Sequence, residues 1–127
     1  MDGSKFSGRV WAYDENSYLE VQNGRQIAII GLYENGGNAF KIEFYSPSEM
    51  IVSGFSTGGE LLYRQSIKYG FRHRPELWDF SGKKIIYENI NSDINAQNIL
   101  DYFRKNIKPK AEEAQRAYQT QLNKASY

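Results

Sequence analysis

Turn-forming residues interrupt this chain at intervals of about nine to twelve positions between residues 14 and 59. Short segments rich in Ile, Val, Phe, Tyr and Trp lie between the turns. Strands of about five to eight residues joined by tight turns repeat on this scale. The pattern therefore predicts an antiparallel meander, with turns at Asp14-Glu15-Asn16, Asn23-Gly24, Asn35-Gly36-Gly37-Asn38, Ser46-Pro47-Ser48 and Thr57-Gly58-Gly59.

The dipeptide Asn23-Gly24 is the most specific of these turn signals. A two-residue type I′ turn needs positive φ at both positions, and Asn and Gly adopt positive φ at the lowest cost. We therefore expect a hairpin between segments 18–22 and 25–33. The second segment is apolar without alternation over residues 27–32. We expect both of its faces to be covered.

Further strands are indicated by apolar residues at alternate positions. In segment 39–46, Phe40, Ile42 and Phe44 alternate with polar residues or tyrosine, so they are expected on the core side. Residues 6–13 are predicted to form a first strand, with Val10 and Trp11 on opposite faces of it. The same reasoning predicts strands at 50–56 and 60–69, and a last hairpin of residues 77–80 with 84–87.

The apolar period changes near residue 92 from that of strands to that of helices. Ser92 or Asp93 can cap the first turn of this helix. Its apolar stripe should dock on the sheet and consists of Ala96, Ile99, Leu100, Phe103 and Ile107.

Pro109 suits the first position of a new helix, so a second helix is predicted over about residues 110–124. Its apolar face is thin and consists of Ala111, Ala114, Tyr118, Leu122 and Ala125. A helix with so little to bury projects, frays, or packs on another chain. A homodimer contact through residues 110–125 is one such arrangement.

These elements predict an α+β fold: a curved antiparallel β-meander of six to eight strands, open or half closed into a barrel, followed by two C-terminal helices. Residues 1–108 are expected to hold the sheet and its docked helix. Residues 109–127 are expected to form a polar C-terminal helix, in the same domain or projecting. A complete lipocalin-like barrel is the alternative fold.

Composition excludes several classes of protein. The 127 residues carry a formal net charge of +1, which excludes a strongly basic protein that wraps nucleic acid. The chain has no cysteine and one histidine, so it can form neither a disulfide scaffold nor a thiolate metal site. No catalytic, cofactor or signal-peptide motif stands out, and no apolar stretch approaches the length of a membrane helix. We expect no enzymatic activity, no metal and no cofactor, while the compartment stays open.

The segment from residue 64 to residue 78 carries the sharpest candidate site. Arg64, Lys68, Arg72 and Arg74 occupy even positions, so one continuous strand would point all four to one face. Gly70 or Pro75 could bend or end that strand. A row of guanidinium and ammonium groups suits phosphate, carboxylate or an acidic protein surface. The alternative interpretation is a solvated strand face that is balanced by carboxylates on neighbouring strands.

Other residues extend this candidate site. His73 is the only histidine, and with Glu76 it could supply the acid and base of a metal-independent nuclease. Trp78, Trp11 and Tyr13 are aromatic residues that could form a recognition surface, line a cavity, or lie in the core.

The leading hypothesis is a non-enzymatic protein that binds another macromolecule through a sheet face and segment 64–74. A small bacterial interaction, adaptor or immunity/inhibitor protein fits these features, and another protein is the expected partner. One alternative is a carrier of a small apolar ligand on a lipocalin-like barrel. A second alternative is an RNA-binding or RNA-cleaving protein that uses His73.

Overall fold

The structure, a computed structural model, describes residues 6–12, 15–86 and 92–125, with side chains as far as residue 116. The strands are β1 (Gly8–Trp11), β2 (Ser17–Gln22), β3 (Arg25–Leu32), β4 (Asn38–Ser46), β5 (Glu49–Phe55), β6 (Leu61–Lys68), β7 (Phe71–Arg72) and β8 (Glu76–Leu77). The helical segments are α1 (Ile94–Tyr102), a π-helical turn (Phe103–Ile107) and α2 (Lys108–Ala125).

The strands form one antiparallel sheet whose spatial order from β1 to β7 follows the chain, with β8 pairing to β6 beside β7. The predicted meander and the α+β class are therefore confirmed. The sheet does not close: within the described residues, β1 lies at one edge, and β7 and β8 lie at the other. The lipocalin-like barrel is therefore wrong, and the expected turns build an open sheet instead.

The Asn23-Gly24 hairpin is confirmed. Asn23 and Gly24 have φ of 52° and 76°, the positive values that a type I′ turn requires. Ser17–Gln22 and Arg25–Leu32 pair on either side of this turn, with one register shift after Glu20.

Cross-strand neighbours share one face of a sheet, so the register identifies the side chains that face the helix. The alternation predicted for β4 is confirmed, because Phe40 and Ile42 are each 1% exposed and belong to the core. One helix-facing row crosses six strands and consists of Val10, Leu19, Ile29, Ile42, Val52 and Gln65.

Strand β3 is buried on both faces, as its composition predicted. Ile29 joins the core beneath the helix, together with Ile107 and Ala111. On the opposite face, Ala28 and Ile30 form a second buried cluster, which includes Tyr18. The side chain of Tyr18 therefore helps to cover this face of β3.

The helix is capped and docked as expected. The Asp93 side chain accepts hydrogen bonds from the backbone N–H groups of Asn95 at 2.8 Å and Ala96 at 3.4 Å, which makes Asp93 the N-cap. Ile99 and Ile107 are buried at 1% and 0% exposure. Burying one such side chain stabilises a fold by about 1.5–3 kcal/mol, so these two anchor the helix to the sheet.

The predicted break before Pro109 is wrong, because α1, the π-helical turn and α2 run on as one joined helix. Proline removes the N–H that would bond to the carbonyl of Lys105, and its ring crowds that carbonyl. The wider π turn lies directly before Pro109, and the Lys108 N–H bonds to the Phe103 carbonyl five residues back.

The second helical segment also differs from the expectation of a solvated helix. The first two positions of its thin apolar face, Ala111 and Ala114, are 8% and 5% exposed and belong to the core. Positions 118, 122 and 125 lie where side chains are not described, so a homodimer contact through residues 110–125 stays a prediction.

The predicted last hairpin is present as a short one: Trp78 and Lys84 form a bridge, the Asp79 N–H donates to the Lys83 carbonyl at 2.9 Å, and the Ile85 N–H donates to the Leu77 carbonyl at 2.8 Å. Glu76 and Leu77 also form β8, which pairs with Arg64 and Tyr63 of β6. The expected strand 84–87 ends outside the described residues at position 87.

Gly31 and Phe40 face each other across β3 and β4. A Cβ built at Gly31 would overlap the aromatic ring of Phe40. We predict that Gly31→Ala lowers the free energy of unfolding by about 1–3 kcal/mol, because the overpacked ring must move.

The double variant Gly31→Ala/Phe40→Leu should lose less than the sum of the two single variants, with an interaction free energy of about 1 kcal/mol. Urea unfolding of all four proteins measures this value. Additive losses would show that the two side chains do not compete for the same space.

Candidate functional site

The four cations predicted to line one face do not share one face of the sheet. Tyr69 and Gly70 have φ of 52° and 76°, so they form a second two-residue turn and end the strand. β7 then returns along β6, and Arg72 pairs with Ile67 on the helix-facing side. Arg64 pairs with Ser53 on the opposite side. The even-position rule fails here because it requires a continuous strand.

Two of these cations are accompanied by carboxylates. Lys68 lies 3.6 Å from the Glu49 carboxylate. Arg64 is in register with Glu76, whose carboxylate binds the ammonium group of Lys84 at 2.9 Å. This face of the sheet is therefore of mixed charge, which corresponds to the balanced, solvated strand face of the alternative interpretation.

His73 and Arg74 follow β7, and both are exposed. The backbone N–H of His73 donates to the Ser66 carbonyl at 3.0 Å, and its ring lies 6.2 Å from that of Phe71. Glu76, the suggested catalytic partner of His73, is engaged by Lys84. Among the described residues, no hydrogen bond joins His73 to Glu76, so the roles of His73 in RNA cleavage and in RNA binding stay predictions.

The predicted aromatic residues do not gather around the cations. Trp11 lies in β1 and packs on Tyr18, with 4.9 Å between ring centroids. β1 and β6 are five strand spacings apart, about 24 Å across the sheet. Trp78 is half-buried, with the Lys84 ammonium 5.8 Å from its ring centroid. Tyr13 lies outside the described residues.

A groove of about 270 Å³ lies between the sheet and the joined helix. We call it the helix–sheet groove. It is lined by Ile42, Met50, Val52, Tyr63, Gln65, Ile67, Arg72, Pro75, Leu100, Phe103, Arg104, Lys108, Ala111, Glu112 and Gln115. Arg72 is in register with Ile67, which pairs with Met50. The hairpin thereby brings one of the predicted cations to an apolar surface.

Charged side chains of the groove come from both of its walls. Arg72 belongs to the sheet, whereas Arg104 and Lys108 lie one turn apart on the helix. Glu112 is the one carboxylate among the described lining residues. Arg104 is also paired with Asp101 at 3.2 Å. The lining residues are therefore positively charged in sum.

Polar groups on the sheet side of the groove are already hydrogen-bonded. The Tyr63 hydroxyl donates to the Gln65 side-chain oxygen at 3.1 Å. The Gln65 amide in turn donates to the His73 carbonyl at 2.8 Å. The ring of Tyr63 stacks on Phe103 at 4.0 Å between centroids. Burial raises the pKa of Tyr63, and the Arg72 charge lowers it by a smaller amount. The hydroxyl therefore stays protonated at neutral pH.

A tyrosine pair joins the helix to the sheet. The Tyr33 hydroxyl donates to the Phe55 carbonyl and lies 2.8 Å from the Tyr102 hydroxyl. Burial, and then the Tyr102 hydroxyl, raises the pKa of Tyr33 well above the ordinary tyrosine value. Ionised Tyr33 would lose its donated bond to the carbonyl, so the neutral form holds β3, β5 and α1 together.

Sequence reasoning identified Arg72 and missed the rest of the groove. Arg104 and Lys108 are spaced i, i+4 beside the apolar stripe of the helix, a spacing that aligns side chains on one flank. That spacing is the signal that could have indicated them. Nothing local indicates Met50, which reaches the groove through its pairing with Ile67, or Pro75, which lies between β7 and β8.

Other kinds of site find little support. Among the side chains described, no group of three His, Asp or Glu residues could hold a metal ion. Within the described part of the chain, no helix combines the length and apolar character needed to cross a membrane.

Comparison with protein-family models, curated proteins and solved structures finds no match to this chain.

The tyrosine pair makes stability depend on pH at the alkaline end. The pKa of Tyr33 is raised in the folded state, so its contribution is complete below the unfolded value of about 10 and is lost as pH rises above it. We predict that Tyr33→Phe costs about 1–2 kcal/mol at pH 7 because the Phe55 carbonyl loses its donor.

The same variant should lose less stability than the wild type between pH 9 and about pH 11. Part of the loss remains, because the pKa of Tyr63 is raised as well. Urea unfolding across this range measures the effect, with Tyr69→Phe as control because Tyr69 is 87% exposed. Parallel curves for wild type and Tyr33→Phe would contradict the assignment.

Proposed function

We propose that this protein is a non-enzymatic binding protein that engages another protein through the β6–β7 hairpin. The observation that supports this function best is Tyr69, an aromatic residue in the left-handed region at an 87% exposed turn. An adaptor or an inhibitor would both bind a partner in this way.

The chain contains its own reference for this turn. Asn23-Gly24 and Tyr69-Gly70 have the same φ values, 52° and 76°. Asn adopts positive φ at low cost, whereas bulkier residues are strained there. The ring of Tyr69 is exposed to solvent, so burial offsets little of this strain. Residues held at a stability cost cluster at functional sites, which supports a binding role for Tyr69.

The residues after the turn add exposed groups to both faces of the hairpin. Phe71 is 73% exposed and pairs with Lys68 on the face that points away from the helix. Arg72 points to the other face, and His73 follows it. Tyrosine and arginine are enriched in the few residues that dominate protein interfaces. Aromatic rings beside these cations complement an acidic partner surface with an apolar centre.

The turn comparison predicts opposite effects of two substitutions on stability. Tyr69→Asn should raise the free energy of unfolding by about 0.5–1 kcal/mol, because Asn tolerates positive φ. Asn23→Tyr should lower it by a similar amount. Urea unfolding measures both values. A destabilised Tyr69→Asn would show that the ring contributes to folding and would remove the main support for this function.

Partner capture tests the function itself. The immobilised full chain is exposed to lysate of the source organism, and the bound proteins are quantified by mass spectrometry. We expect Tyr69→Asn/Phe71→Thr to lose at least about 90% of a specific partner, since hot-spot truncations cost about 2 kcal/mol or more. Ile94→Ser, at an apolar side chain that is 72% exposed, should retain it.

Undiminished capture by the hairpin variant would reject the hairpin as the binding site. Nuclease treatment of the lysate separates protein partners from nucleic acid. Capture that disappears with this treatment would favour the RNA-binding alternative instead.

A further inference from the structure

We propose that the helix–sheet groove binds a single-tailed anionic amphiphile, such as a medium-chain alkyl carboxylate. This site shares Arg72 with the proposed protein contact, whose main residues, Tyr69 and Phe71, lie at the tip of the hairpin and outside the groove lining. The inference combines the apolar lining of the groove, the charges on its two walls and its size.

The apolar part of the groove suits an alkyl tail. Met50, Val52 and Ile67 line it from the sheet, and Leu100 and Phe103 line it from the helix. The five side chains are only partly buried, so the folded chain leaves apolar surface exposed between its two layers. A tail in the groove would remove this surface from water, which is the main favourable term in binding apolar groups.

The position of the charges selects the head group. Arg72 approaches from the sheet, and Lys108 approaches from the helix. Both are exposed, so an anion between them could contact either wall while the tail lies below. Guanidinium and ammonium groups form strong, charge-assisted hydrogen bonds with a carboxylate. Glu112 and Asp101 reduce the net positive charge without reversing it.

A polar group deep in the groove would find few partners. The hydroxyl of Tyr63 and the amide of Gln65 are already engaged with each other and with the His73 carbonyl. A ligand hydroxyl placed beside them would have to displace these bonds. The groove therefore has an apolar interior and a cationic rim. This arrangement matches an anionic amphiphile better than a sugar or a nucleotide.

The volume limits the size of the tail. At about 270 Å³, the groove lies near the lower end of small-molecule sites, which span about 300–1,000 Å³. One alkyl chain of moderate length matches this volume better than a two-tailed lipid does. An acidic protein segment with one large apolar side chain is the competing occupant, and the experiment below separates the two.

Isothermal titration calorimetry of the full chain with three probes tests the proposal. Sodium decanoate should bind at one saturable site. Decyltrimethylammonium chloride has the same tail with the opposite charge, so it should bind at least about tenfold more weakly. Sodium butyrate should show no measurable binding, because an exposed ion pair alone contributes little. On titration with decanoate, amide NMR signals of Val52, Ile67 and Lys108 should shift.

Charge-removing variants locate the site. Arg72→Gln/Lys108→Gln should raise the Kd for decanoate about tenfold through the loss of two charge-assisted contacts. Arg64→Gln/Lys105→Gln is the matched control, since both side chains are exposed cations outside the groove lining. The control should bind decanoate as the wild type does. All four positions are exposed, so the variants should fold.

Three results would overturn the proposal: no saturable binding of decanoate, equal affinity for the carboxylate and the ammonium probe, or an unchanged Kd in the groove variant. If decanoate fails to bind and Lys108→Gln alone also loses the captured protein partner, the groove holds a protein segment instead. Because Tyr69→Asn/Phe71→Thr leaves the groove lining intact, the hairpin function is judged separately by partner capture.

Discussion

The whole molecule depends on the contact between one helix and the row of side chains that crosses the sheet. An open antiparallel sheet exposes an apolar face unless something covers it. Ile107, Ala111 and Ala114 cover the part formed by Leu19 and Ile29. Ala111 belongs to this core and also lines the helix–sheet groove, together with Leu100, Phe103 and Lys108 of the same joined helix. The groove is therefore a product of the same packing that stabilises the fold.

Local chemistry predicted most of the strands. Asn23-Gly24 predicts a type I′ turn, and the alternation of Phe40 and Ile42 predicts a strand with one buried face. The structure contains both. The one-face prediction failed at Tyr69-Gly70, because tyrosine is not a turn-forming residue. Gly70 indicated that the strand could bend or end there, but it did not specify a tight reversal. Prediction from the sequence also failed at Pro109, where tertiary packing outweighs the local tendency of proline to begin a helix.

The candidate site was harder to predict than the fold. Each pair of groove residues that matters, such as Arg72 with Lys108, is far apart in the sequence and is brought together by pairing and docking. Alternate residues share a face only while a strand continues, so this rule does not apply across a hairpin that reverses the chain. The conformational cost of Tyr69 is recognised only when its positive φ and its exposure are both known. No sequence pattern therefore indicated the exposed tip of the hairpin.

The π-helical turn also explains how one helix packs against two parts of the core. Ile99 packs with Leu62 and Leu77, while Ile107 packs with Leu19. Eight residues of regular α-helix rotate through about 800°, which would leave these two side chains about 80° out of phase. The widened turn absorbs this excess rotation. The π-helical turn therefore corrects the phase between two α-helical segments, so that Ile99 and Ile107 are buried along one side of the joined helix.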